Sequence, residues 1–326
     1  MNHFLIFLLV FISTPILTIV ASESASTWVI PVIRPYMMVA GGGYEYRPEV
    51  SLGDGGRYEL NIARASLRSQ VWNNETNELV LSGSWQDARF NSDAVFSSVG
   101  DFPEHLYDLR LGGLYRHVTP EKTVLGIFFA IGTADEQPYS SSAGTGVNAT
   151  AFWRHPIARD ALLFTLTYID NAAILGGVPL PGITYEWHPD TATTVLLGVP
   201  FTLVTWRSSQ RTSLNASLSV FGTARVSTSF TPWEDTAWLQ LQTGLEYGAE
   251  SAKWTEHLPK DERVYARAGK VSGGVSCRFG PLNTGTLIGG WLFARKVGIG
   301  DSLFDLDDYI RPNPGPFVAV NLSSGF

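Results

Sequence analysis

The chain has 326 residues, of which only 16 % are charged, while 12 % are aromatic and 32 are glycine. Disordered chains lack such aromatic content, so disorder is excluded. Nucleic-acid-binding domains usually carry a basic surface, so the net charge of −7 argues against nucleic-acid binding. The single cysteine, Cys277, excludes an intramolecular disulfide framework and a cysteine-rich metal site.

The N-terminal segment predicts a secretory signal. Residues 4–20 are apolar and uncharged, but this run is short for a membrane helix and contains Ser13, Thr14 and Pro15. The small residues Ala21 and Ser22 follow, as a signal peptidase site requires. We expect residues 1–21 to be a signal peptide and residues 22–326 to form the mature domain, with a retained membrane anchor as the alternative.

Residues after the signal alternate between apolar and polar or small side chains with a period of two. The pattern is clearest in Tyr107–Tyr115, Leu214–Val226 and Trp238–Tyr247. No later uncharged run is long enough for a membrane helix, but a β-strand crosses a bilayer in about 9–11 residues. A soluble β-sandwich also alternates; the length of Leu214–Val226 and the tryptophans near strand ends favour a transmembrane barrel.

Short polar connectors alternate with longer loops, as the two rims of an outer-membrane barrel require. The residues around Pro200 are ambiguous, because a hairpin there would leave two strands too short to span the bilayer, and we interpret 192–206 as one kinked strand. The sequence thus predicts an all-β, antiparallel, up-and-down transmembrane barrel of about fourteen strands, with twelve as the alternative. The predicted strands are 33–46, 57–72, 77–90, 105–118, 123–133, 145–154, 161–171, 181–188, 192–206, 212–227, 236–250, 263–279, 284–297 and 316–326.

The C-terminal strand places Val318, Val320, Leu322 and the last residue, Phe326, on one face. Alternate apolar residues that end in an aromatic residue resemble the assembly signal of Gram-negative outer-membrane barrels. The resemblance implies export to the outer membrane and recognition by the barrel-assembly machinery.

Several turn-and-strand motifs carry a second resemblance. These are Gly43–Tyr46, Leu111–His117, Leu180–Asp190, Leu197–Phe201 and Thr205–Arg207. Together they resemble an uncharacterised outer-membrane β-barrel family, a domain of unknown function, over roughly residues 36–326. The resemblance implies a barrel in the outer membrane and supplies no catalytic residues.

The inward parity of the predicted strands places charges of both signs inside the barrel. Such charges are costly unless they are paired or hydrated, so they indicate either a water-filled lumen or a salt-bridge network that plugs it. Arg267 falls on the lipid face by strict counting, so we expect it near a rim or after a bulge near Gly269. The predicted lumen charges are Glu59, Asp108, Arg110, Arg116, Arg225, Glu246, Lys270 and Arg278.

No motif in the chain carries recognisable chemistry, and we predict no catalytic, cofactor or metal site. His105 and His257, predicted near the outer rim, are the candidates for an enzyme that acts on outer-membrane lipid, but neither has a paired nucleophile. The acidic residues Asp301, Asp305, Asp307 and Asp308 are interpreted as a solvated loop, because they lack calcium-ligand spacing.

The function predicted from these features is a passive, porin-like channel or a structural protein of the envelope, and not an enzyme. The alternatives are the lipid-modifying barrel enzyme and a secreted, soluble β-sandwich that binds glycans. The expected partners are outer-membrane lipid and the assembly machinery, without nucleic acid, and the oligomeric state is left open.

Overall fold

The computed structural model describes residues 30–33, 37–53, 55–96, 100–139, 144–170, 177–209, 211–220, 223–232, 238–252, 258, 262–300 and 306–326. Within these ranges, no helix could cross a membrane. The strands are β1 (Met38–Ser51), β2 (Arg57–Asn73), β3 (Asn77–Ser92), β4 (Val95–Phe96), β5 (Gly100–Asp101), β6 (His105–Val118), β7 (Val124–Asp135), β8 (Thr145–Ile157), β9 (Asp160–Ile169), β10 (Leu180–Trp187), β11 (Thr193–Val199), β12 (Phe201–Arg207), β13 (Thr212–Ser219), β14 (Thr223–Phe230), β15 (Leu239–Ala252), β16 (Arg263–Arg278), β17 (Thr284–Gly300), β18 (Asp308–Ile310) and β19 (Gly315–Gly325).

Sixteen of these strands form one closed antiparallel ring. Each pairs with the next along the chain, apart from the small β4–β5 hairpin and the short β18, which pairs with the end of β17. β19 closes the ring, because it pairs with β17 on one side and with β1 on the other, where Tyr44 lies opposite Val320. The predicted all-β antiparallel barrel is confirmed, and the predicted number of about fourteen strands is too low.

Two predicted strands are in fact hairpins. Segment 192–206 is β11 and β12, which turn at Val199-Pro200 so that Val195 lies opposite Val204. Segment 212–227 contains β13 and the first part of β14, with Ala216 opposite Val226. In 212–227 the regular alternation continues through the turn, and this continuity made the hairpin resemble one long strand. In 192–206 the outward parity changes at the turn, and we interpreted the segment as one kinked strand only because a hairpin would leave two strands too short to span the bilayer.

The outer face of the ring is apolar. Leucine, isoleucine, valine and phenylalanine side chains that point away from the interior are about half exposed, as in Leu111, Leu245 and Leu322. A row of exposed aromatic residues lies at one end of the strands, as the interfacial girdle of a membrane barrel does. A soluble sandwich would bury this surface, so that alternative is wrong. The aromatic residues at this end include Trp72, Tyr115, Trp153, Trp187, Trp206, Phe230, Trp238, Phe279 and Phe326.

The two ends of the barrel differ in their connections. Residues 74–76, 119–123, 158–159 and 279–283 form short turns at the end that carries the aromatic girdle and the C-terminus. The connections at the other end include 93–104 and 301–314. Outer-membrane barrels have short periplasmic turns and longer extracellular loops, and this assigns the girdle end to the periplasm.

Five consecutive strands form a low wall, defined as β10–β14. They contain 8, 7, 7, 8 and 8 residues, whereas β15, β16 and β17 contain 14, 16 and 17. At about 3.3 Å per residue and a tilt of 35–45°, the low wall rises only about 16–22 Å, less than the roughly 25 Å of an apolar band. β15 continues through residues 248–252 beyond Tyr247, its last partner position with β14.

Apolar side chains fill the interior at the extracellular end of the long strands. Phe96 and Phe102, from the connection between β3 and β6, stack at 5.3 Å and pack against inward side chains of the neighbouring strands. We call this cluster the extracellular core. Its other members include Tyr58, Leu60, Ile62, Leu106, Val264, Val297, Ile299 and Ile310.

The extracellular core inverts the expected pattern on β2 and corrects the prediction for Glu59. Because Leu60 and Ile62 point inward into this core, Glu59 and Asn61 point outward near the rim, where the Asn61 amide donates to Glu59 at 3.1 Å. Polarity inside and apolarity outside hold for the middle of the barrel, but not where the interior is a packed core.

Candidate functional site

The ring is flattened rather than round. Cα atoms of β7 and β15, which lie on opposite sides of the ring, approach within 8 Å. The Arg263 guanidinium, at the start of β16, also donates to the Asp170 carbonyl just beyond β9 at 3.4 Å. Phe201 of β12 packs against an apolar cluster formed by β3 and β6–β9. These contacts across the interior bring the two sides of the ring together along β7–β9. The inner face from β13 to β15 lines a separate region of the interior.

This region, which we call the polar lobe, is lined almost entirely by uncharged hydrogen-bonding groups. Asn215 is exposed although it points into the ring, and it receives a hydrogen bond from Thr205 at 3.2 Å. The Ser213 and Ser229 hydroxyls are 2.6 Å apart across the β13–β14 pair. The lobe consists of Ser213, Asn215, Ser217, Ser219, Arg225, Ser227, Ser229, Gln240, Gln242 and Glu246.

The two charges of the polar lobe lie side by side. Arg225 lies opposite Glu246 across the β14–β15 pair, and Glu246 in turn lies opposite Lys270 on β16. Arg225 is exposed inside the ring. Exposed side chains on the inner face of a closed wall indicate that the lobe is hydrated, because burial would leave their charges and amides without water.

The opposite half of the interior holds buried ion pairs. Glu45 of β1 is 2 % exposed and contacts Arg47 at 2.7 Å, Lys270 at 2.8 Å and Arg64 at 3.6 Å. The Lys270 ammonium also lies 4.0 Å above the Phe317 ring. We call Glu45, Arg47, Arg64 and Lys270 the Glu45 cluster. It ties β1, β2 and β16 together across β17 and β19, and it brings three cations to one carboxylate.

Two more buried pairs lie toward the periplasmic end. Glu78 and Arg116 form a close ion pair, and Gln70 donates to Glu78 at 2.7 Å. The Arg116 guanidinium also donates to the backbone carbonyls of Ile30 and Val32, so it holds the N-terminal segment against the inner wall. Arg154 and Glu186 form a third pair, with 2.6 Å between Nε and Oε2.

The structure places the predicted lumen charges in different surroundings. Asp108 and Arg110 point inward and pair with each other at 2.5 Å, whereas Arg278 lies on an inward position at the periplasmic end and is exposed. Glu45, Arg47, Arg64, Glu78, Arg154 and Glu186 were not predicted. Some of the missed residues carried a signal: Glu45 lies between Tyr44 and Tyr46, and Glu186 between Tyr185 and Trp187.

No serine nucleophile lies beside the predicted enzyme candidate His105 among the described residues. His105 points outward near the extracellular rim, where its Nδ1 lies 3.1 Å from Asp87 and 3.4 Å from the Tyr107 hydroxyl, and no serine is among its contacts in the described part of the chain. His257, Asp301 and Asp305 lie outside the described residues. The described residues include no group of three side chains that could hold a metal ion.

No family model matches the chain, and no curated protein matches it. Three similar solved structures are of proteins from pseudomonads. An outer membrane channel from Pseudomonas putida F1 has a TM-score of 0.41 at 10 % identity, over 90 % of this chain and 97 % of that one. OccK7 of Pseudomonas aeruginosa has a TM-score of 0.40 at 6 % identity, over 90 % and 99 %. OprB of Pseudomonas putida has a TM-score of 0.35 at 8 % identity, over 90 % and 94 %.

These identities and scores carry no conclusion about function. The barrel itself, with its closed ring and its apolar outer band, confirms the fold that the resemblance to an outer-membrane family implied. A closed antiparallel barrel of even strand number with such a band is the architecture of proteins of the bacterial outer membrane.

Proposed function

We propose that this protein is a passive channel of the outer membrane and that its passage runs through the polar lobe. The observation that carries the proposal is the exposure of Asn215 and Arg225 on the inner face of a closed ring. Serine, asparagine and glutamine side chains exchange hydrogen bonds with water at little net cost, and such a lining suits small hydrophilic solutes.

The low wall fits the same proposal. The long-strand half is obstructed by the extracellular core and by the buried ion pairs, so the lobe beside the short strands is the part of the interior left for a solute. Export by the signal segment 1–21 and insertion by the assembly machinery, through Val318, Val320, Leu322 and Phe326, belong to the same proposal.

The proposal assigns no catalytic role to the chain. His105 has a carboxylate and a phenol as neighbours, and a hydrolase would need a nucleophile within hydrogen-bond reach of its base.

Conductance in planar lipid bilayers tests the proposal. The purified full chain should give stepwise conductance, and Arg225→Glu should shift the reversal potential in a salt gradient toward cation selectivity, because the lobe would then carry two carboxylates. Arg159→Glu, in an exposed periplasmic turn outside the lobe, should leave selectivity nearly unchanged. Purified, folded protein that never conducts would refute the channel.

A further inference from the structure

A row of three cations crosses the outer face of the barrel at its extracellular end. Arg267 of β16 lies opposite Lys296 of β17. On the other side of β17, Val297 lies opposite Ile310, the last residue of β18, so Arg311 follows beside Lys296. Adjacent strands are about 4.8 Å apart, so the three side chains occupy a strip roughly 10 Å long.

The row points away from the barrel interior. Its chain neighbours Ala266, Val297 and Ile310 pack into or against the extracellular core, and successive side chains of a strand point to opposite faces. A register shift in the β16–β17 pair between Arg267 and Gly269 brings Arg267 and Lys296 to the same level. On β17 the irregularity includes Ala294, whose φ of +49° lies in the left-handed region. A bulge re-aims the side chains beyond it.

Tyr309 contacts two of the three cations. The Lys296 ammonium lies 3.8 Å above the Tyr309 ring, the Arg311 guanidinium carbon lies 5.0 Å from the same ring, and Arg311 donates to the phenol oxygen at 3.3 Å. Tyr309 is 42 % exposed. Lys296 and Arg311 are therefore held beside an aromatic ring at the surface, rather than free to turn away from each other.

The row is not neutralised by the part of the protein that the structure describes. No carboxylate there lies within 4.0 Å of Arg267, Lys296 or Arg311, whereas Arg57, Arg64 and Arg89 all have acidic partners. Like charges directly opposite each other on neighbouring strands are destabilising. An anion from outside the protein would relieve this repulsion.

We propose that this row binds the phosphate groups of a phosphorylated glycolipid of the outer leaflet. The row lies on the lipid-facing side, above the exposed Trp291 and Val271 toward the extracellular rim. Guanidinium groups bind phosphate through paired N–H donors and an ammonium adds a point charge, so two arginines and a lysine suit a phosphate-bearing headgroup. The inference rests on the outer-membrane location and not on conduction.

The test measures how tightly lipid A carrying two phosphates binds to the folded full chain in detergent, and it compares wild type with variants of the row. The variant Arg267→Gln/Lys296→Gln/Arg311→Gln should bind at least tenfold more weakly than wild type, and wild-type affinity should fall as salt is raised. Arg89→Gln removes an outward arginine that is already paired with Asp87, and it should bind as wild type does. Because Arg311 is exposed, Arg311→Gln alone provides a variant that should fold and should bind several-fold more weakly.

Equal binding by wild type and by folded Arg311→Gln or the triple variant would overturn the proposal. Inorganic phosphate that competes at the same concentration as lipid A would also overturn it, because the site would then take free phosphate rather than the membrane glycolipid. The planar-bilayer conductance of the triple variant should equal that of wild type, so a failure here is separable from a failure of the channel.

Discussion

Glu45→Gln is expected to destabilise the folded barrel by about 3–5 kcal/mol, the usual effect of removing one partner of a buried ion pair. The substitution puts a neutral amide of nearly the same shape at position 45. It removes the only carboxylate within ion-pair distance of Lys270 among the described residues. Arg47 and Arg64 lose their charge contact with residue 45 as well. Urea unfolding in lipid vesicles, followed by tryptophan fluorescence, measures the change.

Two companion variants show whether this loss comes from the Glu45 cluster. Glu59→Gln changes an outward glutamate near the rim of the adjacent strand and should alter stability by no more than about 0.5 kcal/mol. Adding Lys270→Met to Glu45→Gln should recover part of the loss, since the pair interacts directly and its effects should not add. A fully additive double variant would show that the two residues are not coupled.

Deletion of residues 315–326 is expected to abolish the folded barrel. β19 pairs with β1 from Val39↔Gly325 to Tyr46↔Val318 and with β17 from Thr284↔Ser323 to Leu292↔Gly315. Its loss leaves two rows of backbone groups without partners in hydrocarbon, where each costs several kcal/mol. Folded outer-membrane barrels migrate faster on gels unless boiled, and the truncated chain should give only the slow band.

Phe326→Ala separates barrel closure from assembly in the cell. The backbone groups of Phe326 and Met38 exchange hydrogen bonds at 2.9 and 3.2 Å, and these survive the substitution. The variant should therefore refold from urea into detergent, but it should accumulate poorly in cells if the terminal aromatic residue is recognised by the assembly machinery. A fast band from the truncated chain would contradict the closure by β19.

Alternation along the strands was sufficient to predict the antiparallel barrel, because a period of two sorts lipid-facing from interior residues in most strands. The turns between the short strands were not predictable in the same way. Val199-Pro200 and residues 220–222 connect strands of 7 or 8 residues, and each segment resembled one strand of ordinary transmembrane length. We assumed that every strand spans an apolar band of average thickness. This assumption led to the wrong interpretation of 192–206 as one kinked strand rather than a hairpin at Pro200.

The sequence predicted that charges of both signs face the interior, but it did not predict which of them lie together. Parity alone identifies Arg225 and Glu246 as interior residues, but it does not show that they line a polar lobe while Lys270 is drawn to a buried carboxylate on β1. That contact joins residues 225 positions apart in the chain. Glu59 was misplaced for a related reason, because the extracellular core is built by the connection between β3 and β6, and local alternation does not report it.

Thiol block of conductance tests the passage through the polar lobe most directly. Cys277→Ser removes the only thiol of the chain, and single cysteines can then replace Ser217, which points into the lobe, or its neighbour Ala216, which points outward. A charged methanethiosulfonate reagent should reduce single-channel conductance at Ser217→Cys and leave Ala216→Cys unchanged. Complete labelling of Ser217→Cys with no change in conductance would contradict a passage through the lobe.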